Sequence, residues 1–137
     1  MIDYLLDTNI CIHFIKGEHD LRNKIQKVGF QSCYISEITI AELLYGVEKS
    51  EPDRRAINLQ RVLDLKNAFS IQIIPISECI EEYARQKAQL MRTGRRVDDL
   101  DIFIGVTSII RSLTLVTRNT KDFVNMAGIT VENWIDS

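Results

Sequence analysis

Short apolar runs along this chain alternate with longer stretches whose apolar residues recur at helical spacing. Near the start, Ile2, Tyr4, Leu5 and Leu6 form such a run, and it stops on Asp7. A run so brief reads as a buried strand. Further runs at Cys33-Tyr34-Ile35, Ile71 to Ile74, Leu113 to Thr117 and Ile129-Thr130-Val131 bring the predicted strands to five, the third ended by Pro75.

The intervening stretches predict helices. The first runs from Asn9 to Lys16 and stops at Gly17; the second carries Leu21, Ile25 and Val28 and ends at Gly29. A third extends from Ser36 to Val47 with Ser36 or Thr39 as its cap, and a fourth, roughly Arg54 to Phe69, presents Ile57, Val62, Leu65 and Phe69 on one side. Ser77 is placed to cap a long fifth helix carrying Ile80, Tyr83, Ala84, Lys87 and Met91, with Gly94 just past its end. Ile102 to Ile110 is apolar almost all round and therefore belongs in the centre of the fold. A short helix from Lys121 to Met126 stops at Gly128, and Trp134 is expected to pack over the sheet edge. Strands separated by one or two helices imply right-handed crossovers and a parallel sheet covered on both faces. The expectation is a three-layer α/β/α fold with a central, mainly parallel five-stranded sheet, forming one domain over residues 1–137.

Composition narrows the class. At 137 residues, with 45% hydrophobic and 26% charged residues, the chain can bury a core without disulfides and is unlike a disordered segment. Cys11, Cys33 and Cys79 form no C-x-x-C pair, which argues against a disulfide framework and against a cysteine zinc site. Asp3 stands where a signal peptide would be positively charged, and no apolar run approaches the length of a bilayer span. The expected location is the cytoplasm.

The net charge of −2 and pI near 5.7 lack the overall basic footprint of a general nucleic-acid binder. A polyanionic substrate would need a local basic patch or bound cations. Arg85, Lys87, Arg92, Arg95 and Arg96 cluster before Asp98. They are either a solvated helix face and its end or, for Arg95 and Arg96 above all, contacts to phosphates.

The acidic positions carry the candidate chemistry. Asp7 ends a strand, and ligands in open α/β sheets bind outside the carboxyl strand ends; it could equally cap the following helix. Glu42 lies among Ile40, Ala41, Leu43, Leu44 and Tyr45, so its carboxylate needs a partner, unless it completes a capping box with Thr39. Asp98, Asp99 and Asp101 open the sixth helix; Asp98 suits the cap, Asp99 suits solvent, and Asp101 is left for chemistry. Asp122 follows the fourth strand, where it either joins the others or favours a helix's first turn. Carboxylates sharing one sheet edge repel one another unless a cation, a basic group or protons compensate. All-oxygen ligation suits Mg²⁺ or Mn²⁺.

Four stretches, taken together, resemble the PIN-domain ribonucleases, specifically VapC-type toxins of toxin–antitoxin pairs. They are Leu6-Asp7-Thr8-Asn9, Ile38 to Val47, Asp101-Ile102-Phe103-Ile104, and Leu115 to Phe123 before the final Trp134. The resemblance implies that Asp7, Glu42, Asp101 and Asp122 are the catalytic, metal-holding acids, with Thr8, Thr117 and Asn119 supporting them. It implies a Mg²⁺- or Mn²⁺-dependent endoribonuclease acting on an RNA substrate, dimeric and silenced by a cognate small antitoxin protein. Arg96-Val97-Asp98 departs from the family's Pro-and-Gly-like turn, which leaves open whether Asp98 or Asp99 also reaches the metal. Gly105-Val106 also departs from the family pattern, with an effect expected on helix packing alone. Two other classes compete. A phosphatase of the haloacid dehalogenase type needs a second acid where Asn9 stands, and a catalytically silent PIN-like RNA- or protein-binding module needs only the groove.

Overall fold

The computed structural model describes residues 1–136. Five strands form one sheet: β1 (Tyr4–Leu6), β2 (Cys33–Ser36), β3 (Ile73–Ile74), β4 (Thr114–Val116) and β5 (Val131–Glu132). Their order is β3-β2-β1-β4-β5, and every neighbouring pair is parallel. Six α-helices connect them: α1 (Thr8–Ile15), α2 (Leu21–Val28), α3 (Glu37–Glu48), α4 (Arg55–Ala68), α5 (Ile80–Arg92) and α6 (Asp99–Ile110). The expected three-layer fold is therefore present, with a sheet that is parallel throughout.

Adjacent side chains on a strand point to opposite faces, and the sheet accordingly divides the core in two. Leu6 and Val116 pack with Ile10, Leu21, Leu43 and Phe69 on the side of α1 to α4. Leu5 and Leu115 pack with Leu90, Ile102, Ile104 and Val106 on the side of α5 and α6. The chain steps from β1 to β2 in one direction and later places β4 on β1's other flank. The strand order thus reverses between β1 and β4, the position where such sheets open a crevice at their carboxyl ends. Asp7 follows β1 there, and Thr117 follows β4.

Several local expectations need correction. The segment from Lys121 to Met126 is not an α-helix: one 3₁₀ turn spans Thr120–Asp122, and the residues after it are anchored by buried Phe123 and Met126. Gly105 makes this packing possible, because a Cβ there would stand 2.5 Å from the Met126 sulfur and 3.3 Å from the Phe123 ring. Ser77 lies within a 3₁₀ turn, Ile76–Cys79, and does not cap α5. Trp134 holds Glu132 of the edge strand β5 through its indole N–H at 3.0 Å and also reaches inward to pack edge-on against Tyr4 of the central strand, with ring centroids 5.1 Å apart. The three cysteines are free and buried.

Candidate active site

Asp7 is built into the crevice by both chain neighbours and distant partners. It occupies the cap position of α1, and its Oδ1 accepts the Thr8 N–H at 2.7 Å. Its Oδ2 accepts the Thr117 hydroxyl at 2.8 Å and the Asn9 side-chain amide at 3.3 Å. The cap role and the crevice role thus coexist in one side chain, only 4% exposed. Burial raises its pKa, as do the charges of Glu42 and Asp122, while the bonds from Thr117 and Thr8 oppose the rise.

Glu42 has a different local origin from the one its spacing suggested. The cap of α3 is Ser36, whose hydroxyl accepts the Ile38 N–H at 3.0 Å, so Glu42 completes no box with Thr39. Its Oε1 instead accepts the Thr8 hydroxyl at 2.6 Å. Thr8 has one hydroxyl proton and gives it to Glu42; the 3.1 Å contact between Thr8 Oγ1 and Thr39 Oγ1 is therefore donated by Thr39. Buried Thr39 is thus part of the support for Glu42.

Asp101 lies in the first turn of α6, half-buried. Burial pushes its pKa up to about 6, helped by the charges of Asp7, Asp98, Glu42 and Asp122. It is the carboxyl on which all three other candidate acids act. Asp122 is exposed on the 3₁₀ turn after β4 and lines a cleft of about 400 Å³ with Asp101, Asp98, Arg95, Arg96 and Lys121. Among the described residues, none of the ion pairs involves Asp7, Glu42, Asp101 or Asp122. Nor do any three of these carboxylates bring oxygens within 4.8 Å of one another.

The remaining candidates sort by what they touch. Asp98 occupies the cap position of α6 but makes no side-chain cap bond, so it sits on the cleft rim as a free charge. Asp99 turns away: its Oδ1 accepts the Tyr83 hydroxyl and the Lys87 ammonium, both at 2.7 Å. Lys87 accordingly belongs to an ion pair and not to the exposed basic cluster, whereas Arg95 and Arg96 line the cleft. Thr117 receives the Asn119 backbone N–H at 3.1 Å, so Asn119 supports the site through its main chain.

Besides Thr39, two contributors escaped sequence reasoning. Asn9 bridges Asp7 and Thr117, and its Oδ1 accepts the Arg118 N–H at 3.1 Å. Its place two residues after Asp7, in the first turn of α1, was the available signal. Lys121 adds a third cation to the cleft wall, and its position one residue before Asp122 pointed there.

The donor set suits a hard divalent cation, since every candidate ligand is a carboxylate and, among the described residues, no protein cation forms an ion pair with the cluster. Comparison with known proteins identifies the family. A family model described as PIN domain matches residues 4–129. The chain is 32% identical over 137 residues to the tRNA(fMet)-specific endonuclease VapC of Shigella flexneri, covering 98% of this chain and 99% of that protein. It is 31% identical to Ribonuclease VapC2 of Haemophilus influenzae, covering 98% of this chain and all of the relative. Among solved structures, VapBC2 of Rickettsia felis bound to a promoter DNA fragment matches with a TM-score of 0.86 and 31% identity, over 98% of this chain and 99% of that one. DNA-bound VapBC of Salmonella typhimurium gives the same TM-score, 0.86, the same identity, 31%, and the same coverage, 98% and 99%. On this sequence and fold evidence, the chain belongs to the PIN-domain family and groups with its VapC ribonucleases.

Proposed function

We propose that the chain is a metal-dependent endoribonuclease toxin in which Asp7, Glu42, Asp101 and Asp122 hold Mg²⁺ or Mn²⁺ at the carboxyl edge of the sheet. The observation that carries this reading is the grouping of the four acids, Asp7 and Glu42 both bonded to Thr8 and Asp101 and Asp122 lining one cleft. When bound, such an ion neutralises phosphodiester charge and activates water for in-line displacement. The chain's own residues prepare the place. Thr117 and Thr8 N–H hold the two oxygens of Asp7 in orientation, and the Thr39–Thr8 pair does the same for Glu42. Partners of this kind typically tune metal affinity by about 10–100-fold. Arg95, Arg96 and Lys121 on the cleft wall would bind the phosphates flanking the cut.

The solved relatives point to an antitoxin partner. The solved relatives of Rickettsia felis and Salmonella typhimurium are VapBC complexes, which supports silencing of this chain by a cognate small antitoxin. A groove lined by Ile12, Ile15, Leu43, Val47 and Val62 runs to Glu42 and offers an apolar path to the site. Homodimer formation and action on cytoplasmic RNA are parts of the same reading. No helix among the described residues is long and apolar enough to cross a membrane.

The test is cleavage of initiator tRNA and of a mixed RNA pool during titration with Mg²⁺ or Mn²⁺. Cleavage should require the ion and be lost in Asp7→Asn. Metal-independent cleavage, or an active Asp7→Asn protein, would remove the reading. Tight RNA binding with no cleavage at any metal concentration would instead favour the silent binding module.

A further inference from the structure

At the end of α1 remote from Asp7 lies a group of donors that the nuclease chemistry does not use. The helix closes through Gly17, which takes φ +72°. Gly17 N–H bonds the Phe14 carbonyl at 3.1 Å, and Glu18 N–H bonds the His13 carbonyl at 2.9 Å. This paired closure is the Schellman arrangement, which returns the residue after the glycine to the start of the last turn. It places Glu18 against His13, with Nδ1 and Oε1 2.7 Å apart. His19, at φ +58°, presents its ring edge-on to His13, centroids 4.7 Å apart. One donor atom from each of His13, Glu18 and His19 lies within 4.8 Å of the other two.

We propose that His13, Glu18 and His19 form a second metal site, for Zn²⁺ or a similar borderline-soft divalent ion, separate from the acidic cluster. Two imidazoles and one carboxylate leave a fourth position for water, and imidazole donors favour such ions over Mg²⁺. Ligands about 2.0–2.1 Å from a tetrahedral ion stand roughly 3.3–3.5 Å from one another. The His13–Glu18 contact therefore has to open only slightly from 2.7 Å.

The proton arrangement defines what has to move. An Arg118 guanidinium nitrogen lies 3.3 Å from His13 Nε2, and a guanidinium can only donate. Nε2 is thus the acceptor, and Nδ1 carries the proton given to Glu18. Metal binding at Nδ1 takes up the lone pair there, so the proton moves to Nε2, the imidazole stays neutral, and the Arg118 guanidinium, which cannot accept, turns away from that nitrogen. Arg118 also bonds the Asp136 carboxylate at 3.1 and 3.3 Å, which offsets its charge beside an incoming cation.

The test is calorimetric titration of Zn²⁺ into the full chain with excess Mg²⁺ present, together with the visible absorption of added Co²⁺. One Zn²⁺ per chain should bind, and Asp101→Asn should retain it. His19→Ala and His13→Gln should each weaken it by more than roughly tenfold and abolish the tetrahedral Co²⁺ bands. His19 is exposed, so its replacement tests the site without disturbing the core. Unchanged Zn²⁺ affinity in His19→Ala, loss of binding in Asp101→Asn, or no uptake by the unaltered protein would overturn the proposal.

Discussion

Thr117 gives its hydroxyl proton to Asp7 across 110 positions of sequence, over a distance of 2.8 Å. This bond joins the carboxyl ends of β1 and β4, and Asn9 braces both partners. Because Asp7 is buried, water cannot readily replace the donor.

Thr117→Val keeps the side-chain shape and removes that donor. The variant should lose about 1–3 kcal/mol of stability, the usual cost of an unsatisfied buried polar group, and cleave RNA about 10–100-fold more slowly. Thr117→Ser should restore most of both. Thermal denaturation and cleavage rates check the pair; an unaffected Thr117→Val protein would reduce the bond to a bystander.

Asp101 predicts a specific pH dependence. A carboxyl whose folded pKa is raised to about 6 binds protons more readily folded than unfolded. The metal-free protein should therefore lose stability as pH rises from about 4 to 6, by on the order of 2–3 kcal/mol from this group. The cost persists in full above pH 6, and Asp7 acts in the same direction. Asp101→Asn should flatten the dependence, raise the metal-free melting temperature at pH 7 and abolish cleavage. Added Mn²⁺ should stabilise the unaltered protein much more than the variant. A variant that melts lower at pH 7 would contradict the electrostatic account.

Asp98 and Asp99, adjacent in sequence, should behave differently. Asp98 makes no cap bond, so Asp98→Ala should barely change the melting temperature while weakening metal binding modestly by removing charge from the rim. Asp99 is engaged by Tyr83 and Lys87, so Asp99→Ala should leave metal affinity and cleavage unchanged. Loss of cleavage in Asp99→Ala, with Asp98→Ala fully active, would exchange the two assignments.

Replacing Arg95 and Arg96 by Ala, in an Asp101→Asn background that binds without cutting, should weaken RNA binding. The salt dependence should also fall, by about 0.7 in the logarithmic slope for each single-strand phosphate that is no longer neutralised. Filter binding across a salt series measures both, and an unaltered slope would leave these residues as solvated surface.

Fold class and strand positions were legible in the sequence because short apolar runs and helical spacing carry that information locally. The acids were legible as candidates, since carboxylates at strand ends or within apolar surroundings demand an explanation. Their partners were less so. Ser36, not Thr39, caps α3, and the choice depends on which hydroxyl the backbone leaves free after folding. Asp98 had the position of a cap without making the bond. The expected helix from Lys121 yields to close packing of Phe123 and Met126 against Gly105, a tertiary effect that local periodicity cannot encode.

The placement of β4 beside β1 also governs when a newly made chain can become dangerous. Residues up to Ile110 supply Asp7, Glu42 and Asp101, yet the strand whose end braces Asp7 has still to pair with the open edge of β1. A ribosome-bound fragment ending before Thr117 lacks that brace and Asp122 as well. The candidate site is thus complete only once the chain has been made through Asp122, and its assembly must await the long-range closure of β4 onto β1.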